Sequence, residues 1–235
     1  MNLTGKTVLI TGVGRPGQVG EVVARTFAER GARLAVIDRL ADEARQRAES
    51  LRAAGYDAHA YACDLTDVDA VAGVARQMAD EVGDLDALVC MAGGFGMSGR
   101  LDESDPAAWH RMIAINLTTA YVATRAFLPS LRRRRGAVVY FASVAALPGS
   151  SVGGTAAYAA AKSGVVALMR AVAQQERGAG VRANAVAPTS IRTAENVASM
   201  GESEKYVERE EVAEVVAWLC SDAASAVTGQ IIRLG

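Results

Sequence analysis

The chain has few aromatic residues and few of the side chains that bind metals or form disulfides. Of its 235 residues, 5% are aromatic, three are cysteines and two are histidines. Cys63, Cys90 and Cys220 form no CxxC pair, and with so few histidines they predict no metal site. An odd number of scattered cysteines favours a reducing, cytoplasmic location. Because 51% of the residues are hydrophobic, we expect a core of small aliphatic side chains.

The chain also lacks an excess of charge of either sign and long apolar runs. It has 25 basic and 26 acidic residues, a net charge of −1, which gives no reason to expect a nucleic acid or a membrane surface as a partner. No apolar run appears long enough to span a membrane, and the N-terminus MNLTGKTVLITG has no signal-like apolar segment. The length suits one α/β domain over residues 1–235.

Four glycines, in contrast, lie close together near the N-terminus. A short apolar strand at 7–10 is followed by TGVGRPGQVG and by a helix that begins at about Val19. Glycines let the backbone approach a pyrophosphate, and the N-terminus of the helix offers N–H groups to it. Strand, glycine-rich turn and helix therefore predict the start of a dinucleotide-binding unit. The alternative is an ordinary tight turn between strand and helix.

Strand and helix patterns then alternate to the end of the chain. Continuous alternation without a linker or repeat predicts a Rossmann-type, doubly wound parallel α/β sheet of about seven strands, with helices on both faces. Ligands of such sheets bind at the carboxyl ends of the strands. The later strands are predicted at 34–37, 56–62, 85–91, 137–142, 181–187 and 230–234, and helices at 41–54, 105–133 and 210–220, with further helices opening at Asp67 and carrying Tyr158.

Asp38 ends the second predicted strand. In dinucleotide-binding folds, an acidic residue near this position accepts hydrogen bonds from the ribose hydroxyls of NAD. A carboxylate there also repels the additional phosphate of NADP. Arg15 and Arg39 favour the opposite preference, because either could pair with that phosphate. Asp38 could instead cap the following helix. The sequence thus favours NAD and leaves NADP possible.

Tyr158 and Lys162 lie four residues apart in TAAYAAAKSG, on one face of a predicted helix. A cation beside a phenol lowers the pKa of the phenol, which would then exchange protons near neutral pH. The alternative is a half-exposed pair without a function.

Ser143 ends the fifth predicted strand. Asn116 lies inside a helix, where it is either functional or a satisfied buried amide.

These residues together resemble the short-chain dehydrogenases/reductases over nearly the whole chain. Asn116, Ser143, Tyr158 and Lys162 match the four catalytic positions of that family, in the expected order. The positions that match its cofactor-binding motifs are Thr11-Gly12, Gly17 and Val19-Gly20 in the glycine turn, Asp64-Leu65 beside the adenine, Ala92-Gly93 at the end of the NNAG segment, and Pro188, Ile191 and Thr193 beside the nicotinamide carboxamide.

The chain departs from the family pattern in its loops. The glycine turn has two additional residues and includes Arg15-Pro16, while Cys90-Met91 replaces the two asparagines of NNAG. Thr189 stands where the family usually has glycine. The substrate lid between Thr193 and Glu210 is short, which predicts an open site.

The resemblance implies an NAD(P)-dependent ketoreductase or alcohol dehydrogenase. Tyr158 would be the acid/base, Ser143 would bond the substrate oxygen, and Asn116 would hold a water. Lys162 would lower the pKa of Tyr158 and hold the nicotinamide ribose. A small-molecule or carrier-bound substrate would contact segments 94–101, 145–154 and 190–200, and the family suggests a dimer or tetramer. The alternative is a non-catalytic dinucleotide-binding or assembly protein.

Overall fold

Seven parallel strands form one sheet in the computed structural model, which describes residues 1–13, 16–203 and 205–235. All strands pair in parallel, which confirms the predicted fold class. The strands are β1 Thr7–Thr11, β2 Arg33–Asp38, β3 Ala58–Ala62, β4 Ala87–Cys90, β5 Ala137–Phe141, β6 Arg182–Pro188 and β7 Ile231–Leu234.

Eight α-helices are found in the described part of the chain. They are α1 Val19–Glu29, α2 Ala41–Ala53, α3 Val68–Glu81, α4 Pro106–Ile113, α5 Thr119–Arg134, α6 Ala156–Gln175, α7 Ala194–Met200 and α8 Arg209–Cys220.

The helices cover the sheet in two layers, each with its own apolar core. Helices α1, α2 and α8 pack on one face, where Phe27 and Val216 are fully buried. Helices α3, α5 and α6 pack on the other face, which buries Leu131 and Met169. Because both faces are covered, the central strands are buried along their whole length, as in TVLIT and AVVYF.

The strand order, β3-β2-β1-β4-β5-β6-β7, reverses direction between β1 and β4. From β1 the chain runs outward to β3, then returns to the other side of β1 and runs outward to β7. At such a switch point the loops after the two central strands diverge and leave a crevice. The fold therefore places a binding crevice beside the ends of β1 and β4.

The long helix predicted from Asp105 to Arg133 is two helices joined by a π-helical turn, Ala114–Thr118. It begins as expected, because the Asp105 side chain accepts a hydrogen bond from the Ala107 N–H and Pro106 is the first helical residue. The wider turn contains Asn116, whose Nδ2 donates to the Met112 carbonyl at 3.1 Å. Single π turns often mark functional sites.

The lid region contains a helix that the sequence pattern did not predict. The Thr193 hydroxyl accepts a hydrogen bond from the Asn196 N–H at 3.1 Å and so caps α7. Seven residues are too few for a clear amphipathic repeat, which explains why the helix was missed.

Four consecutive arginines, 132–135, lie at the end of α5, and three of them form ion pairs. Arg132 pairs with Glu176 at 2.7 Å, Arg133 with Asp84 at 2.6 Å, and Arg134 with Asp86 at 3.2 Å. The run therefore joins the end of α5 to neighbouring segments.

Helix α6 is long and apolar enough to cross a membrane by length and composition alone, although Lys162 and Arg170 interrupt its apolar residues. Half of its apolar stretch is buried inside the fold, and Val165 and Met169 pack in the core. It serves here as a core helix beneath the candidate site.

Candidate active site

The structure brings the described candidate residues to the carboxyl edge of the sheet. This shared location follows from the parallel strands, because each strand delivers its next residues to the same side. Gly12 follows β1, Asp38 ends β2, Asp64-Leu65 follow β3, Ala92-Gly93 follow β4, Ser143 follows β5, and Pro188 ends β6.

The glycine turn packs tightly against its neighbours. Gly12 has φ +67°, and a Cβ there would lie 2.6 Å from the Cα of Ala92, so this approach requires glycine. A Cβ on Gly20 would lie 2.7 Å from the carbonyl carbon of Val13, which lets α1 begin close to β1. Arg15 lies, with Gly14, outside the described residues.

A carboxylate that the sequence analysis missed holds the later part of this turn. Glu21 accepts hydrogen bonds from the Gly17 N–H at 2.7 Å and from the buried Arg47 at 3.1 Å. Burial acts to raise the pKa of Glu21, but these hydrogen bonds outweigh it and lower the pKa. An acidic residue in the first turn of a helix after a glycine loop was the available signal.

Two acidic residues lie at the ends of β2 and β3. Asp38 Oδ1 accepts a hydrogen bond from the Leu40 N–H at 3.2 Å, and α2 has no side-chain cap. Asp38 therefore forms a local turn and does not cap the helix. Hydrogen bonds from the Thr66 N–H and hydroxyl lower the pKa of Asp64, and Leu65 is buried beside it.

The loop after β4 is braced although the two family asparagines are absent. Thr11 Oγ1 accepts hydrogen bonds from the N–H groups of Met91 and Ala92, at 3.2 and 3.3 Å. The Asn116 side chain accepts from the Gly94 N–H at 3.2 Å and donates to the Gly94 carbonyl at 3.0 Å. Thr11 was matched to the family turn but was not predicted as a brace, because its partners are 80 residues away in sequence.

Gly93 connects this loop to the candidate catalytic residues. A Cβ there would lie 2.5 Å from Asn116 Oδ1 and 3.5 Å from Lys162 Nζ. The absence of a side chain therefore lets the loop pass directly against Asn116, at ordinary contact distance from Lys162.

Lys162 is buried in the site, with 6% of its surface exposed. Tyr158 and Lys162 are therefore not the half-exposed pair that was the alternative interpretation. Its Nζ donates to the Phe141 carbonyl at 2.8 Å and lies 5.8 Å from the centroid of the Tyr158 ring. Burial disfavours the ammonium form and lowers the pKa of Lys162 to about 8.

The Tyr158 phenol has a raised pKa, contrary to the expectation that Lys162 lowers it. Burial raises the pKa of Tyr158, and a hydrogen bond with the Ser143 side chain offsets only part of this effect. The Lys162 ammonium is instead directed at the Phe141 carbonyl, and burial weakens its own charged form. In the protein without a ligand, Tyr158 is therefore a protonated phenol at neutral pH.

The loop after β6 closes the opposite side of the crevice. Ile191 forms a parallel bridge with Val207, and Thr193 caps α7. The Ala194 N–H donates to the Gly17 carbonyl at 3.3 Å, so the lid contacts the glycine turn directly.

These features fit a nicotinamide dinucleotide. The glycine turn leads into the N-terminus of α1, an acid ends β2, and a small-residue loop passes the buried lysine. Among the described residues, no group of three or more His, Cys, Asp or Glu side chains is placed to hold a metal ion.

We predict that Asn116→Ala lowers the free energy of unfolding by about 1–3 kcal/mol, because it leaves the buried Met112 carbonyl and the half-buried N–H and carbonyl of Gly94 without these hydrogen bonds. It should also speed hydrogen exchange of the loop at 93–95. Asn184→Ala is the matched control, since Asn184 is an equally buried amide that bonds the Val227 carbonyl and the Gln230 N–H away from the site.

Urea unfolding and hydrogen exchange read by mass spectrometry check both variants. The control should lose similar stability without faster exchange at 93–95. Unchanged exchange of that loop in Asn116→Ala would show that Asn116 does not brace it.

Comparison with known proteins identifies relatives of the whole chain. Residues 12–234 match a family model described as enoyl-(acyl carrier protein) reductase. A cis-4-hydroxycyclohexanecarboxylate dehydrogenase of Sinomonas cyclohexanicum is 37% identical over 94% of this chain and 92% of its own length.

Solved structures show the same fold with either cofactor. A Brucella melitensis 3-oxoacyl-[acyl-carrier protein] reductase with bound NAD has a TM-score of 0.85 and 30% identity, over 98% of this chain and 89% of that one. A Beutenbergia cavernae protein with NADP at low occupancy has a TM-score of 0.88 and 31% identity, over 99% and 96%. The chain belongs to the short-chain dehydrogenase/reductase family.

Proposed function

We propose that the protein is an NAD(P)-dependent oxidoreductase that transfers a hydride between a nicotinamide cofactor and a carbonyl compound or secondary alcohol, with Tyr158 as the acid/base. The observation that carries this proposal is the convergence of Tyr158, Ser143 and Lys162 at the carboxyl edge, beside the loop of Gly93. Membership of a family of dehydrogenases and reductases supports the proposal.

The cofactor, when bound, would supply the hydride, which no side chain can provide. Asp38 would bond the adenine ribose, and Asp64-Leu65 would contact the adenine. Lys162 would hold the nicotinamide ribose. The other proposed cofactor contacts are Gly12, Gly17, Val19 and Gly20 in the turn, Ala92 and Gly93 after β4, and Pro188, Ile191 and Thr193 after β6.

Tyr158 would donate its proton to the carbonyl oxygen during reduction, because its raised pKa keeps the phenol protonated at neutral pH. In alcohol oxidation the phenol would have to lose its proton first. The Ser143 hydroxyl would bond the same substrate oxygen, where negative charge develops.

The role that we propose for Asn116 differs from the expectation that its side chain holds a water molecule. Its Nδ2 hydrogens are engaged by the carbonyls of Gly94 and Met112. Asn116 would therefore act as a positioning residue that keeps Gly93 against Lys162.

Tyr158→Phe should lower kcat by about 10²–10⁴-fold, the usual contribution of a general acid/base, and leave NADH affinity nearly unchanged. Turnover is followed by NADH absorbance on a panel of ketones and alcohols that includes 4-hydroxycyclohexanecarboxylate, and affinity by NADH fluorescence. Tyr121→Phe, at an exposed tyrosine of α5, is the control and should keep full activity. Near-normal turnover of Tyr158→Phe would refute the role of Tyr158.

Asp38→Ala should raise kcat/KM with NADP relative to NAD by about tenfold or more, because it removes the carboxylate that would repel the additional phosphate. Asp42→Ala removes an acid from the first turn of α2 nearby and should leave the ratio unchanged. An unchanged ratio in Asp38→Ala would mean that Asp38 has only a structural part.

The second candidate function is a dinucleotide-binding or assembly protein without turnover. The replacement of NNAG by Cys90-Met91-Ala92-Gly93 is the observation that favours it. Binding of NADH without turnover across the panel would support this second function.

A further inference from the structure

An exposed aromatic side chain lies directly beside the candidate acid/base. The rings of Phe95 and Tyr158 meet edge to face, with centroids 5.2 Å apart and planes at 75°. Phe95 is nevertheless 66% exposed. Its free surface therefore forms an apolar wall next to the phenol that would contact the substrate oxygen.

Other large apolar side chains are exposed in the same region. Among the described residues ten large hydrophobic side chains are exposed, and five of them lie in the segments 94–101, 145–154 and 190–200. These five are Phe95, Met97, Leu101, Val152 and Met200. Such a concentration of exposed apolar groups around polar catalytic candidates is typical of a binding site.

The first two segments are held together at Gly154. Its carbonyl accepts hydrogen bonds from the N–H groups of Ser98, at 2.7 Å, and Gly99, at 3.2 Å. The Met97 Cε lies 3.1 Å from the position of a Cβ on Gly154. The apolar wall is therefore fixed by backbone hydrogen bonds.

These three segments contain two cations, Arg100 and Arg192, and each of them pairs with acidic residues. The Arg192 guanidinium donates to Glu208 at 2.7 Å and also pairs with Glu202. It lies 5.2 Å from the centroid of the Tyr206 ring, so it holds the outer part of the lid.

Arg100 pairs with Asp102 at 3.2 Å and Glu103 at 3.9 Å. Each arginine thus faces two carboxylates, so each group carries a net charge of −1. A carboxylate placed beside either group would therefore meet a net negative charge.

Lys162, the cation closest to Tyr158, does not offer an alternative partner. It is buried and donates to the Phe141 carbonyl. A negative group at the far end of a substrate therefore has no accessible unpaired cation among the described residues of these segments.

We infer that the substrate is an uncharged, predominantly apolar secondary alcohol or ketone, which packs on Phe95 and Met97. This inference rests on the proposed function of the same site. It predicts that the enzyme discriminates between substrates by their charge. The apolar wall favours a neutral substrate, and the net negative charge around Arg100 and around Arg192 disfavours an anion.

The test compares three alcohols that share one ring: 4-methylcyclohexanol, 4-hydroxycyclohexanecarboxamide and 4-hydroxycyclohexanecarboxylate. The amide and the carboxylate have nearly the same shape and differ in charge. We expect kcat/KM to fall in the order methyl, amide, carboxylate, with at least a tenfold difference between the first and the last.

A charge introduced into the wall provides a second test. Met97→Lys should raise the carboxylate-to-amide ratio of kcat/KM by about fivefold, since a cation close to the substrate favours the anion. Met97→Gln, which has a similar size and no charge, should leave the ratio unchanged.

The outcomes separate the two proposals. Equal or faster turnover of the carboxylate, or equal ratios in Met97→Lys and Met97→Gln, would overturn the inference about the substrate while the proposed function stands. An absence of turnover for all three alcohols and their ketones, with NAD and with NADP, would overturn the proposed function and this inference with it.

Discussion

A buried ammonium group is costly unless it is hydrogen-bonded, and Lys162 places one at the centre of the candidate site. The Phe141 carbonyl at the end of β5 satisfies it at 2.8 Å. The loop after β4 passes close to this ammonium group. Gly93 must lack a side chain because a Cβ there would lie 2.5 Å from Asn116 Oδ1, and Asn116 holds the loop through Gly94. Tyr158 lies one helical turn before Lys162, on the same helix.

The sheet supplies the remaining constraint. Because all seven strands are parallel, the ends of β1 to β6 deliver their next residues to one edge. The glycine turn after β1 closes on Ala92 after β4, and the lid reaches back to Gly17 through the Ala194 N–H. Residues far apart in sequence thus surround one crevice. In this crevice the ring of Tyr158 contacts the ring of Phe95, which is part of the apolar wall.

The fold and the edge residues could be predicted from the sequence because they depend on local signals. Alternating apolar strands and amphipathic helices predict the doubly wound sheet, and each candidate residue follows a strand or lies on a predicted helix. The π turn at Asn116 had no such signal, since its pattern continues that of an α-helix.

Other features arise from contacts between distant segments, which the pattern of one sequence does not contain. Thr11 replaces the missing asparagines as a brace for the loop after β4. The Glu21 carboxylate accepts hydrogen bonds from the Gly17 N–H and from Arg47 of α2. The raised pKa of Tyr158 depends on how deeply the phenol is buried, and the spacing of Tyr158 and Lys162 alone predicted the opposite direction.

The most direct test of this account is the pKa of Tyr158 in the protein without cofactor. Ultraviolet absorbance of tyrosinate would be followed against pH in the unmodified protein and in Tyr158→Phe, and the difference isolates this one phenol. The account predicts that Tyr158 titrates above the ordinary value of about 10 for tyrosine. Titration at or below that value would contradict it, because the phenol would then not be controlled by burial beside Ser143.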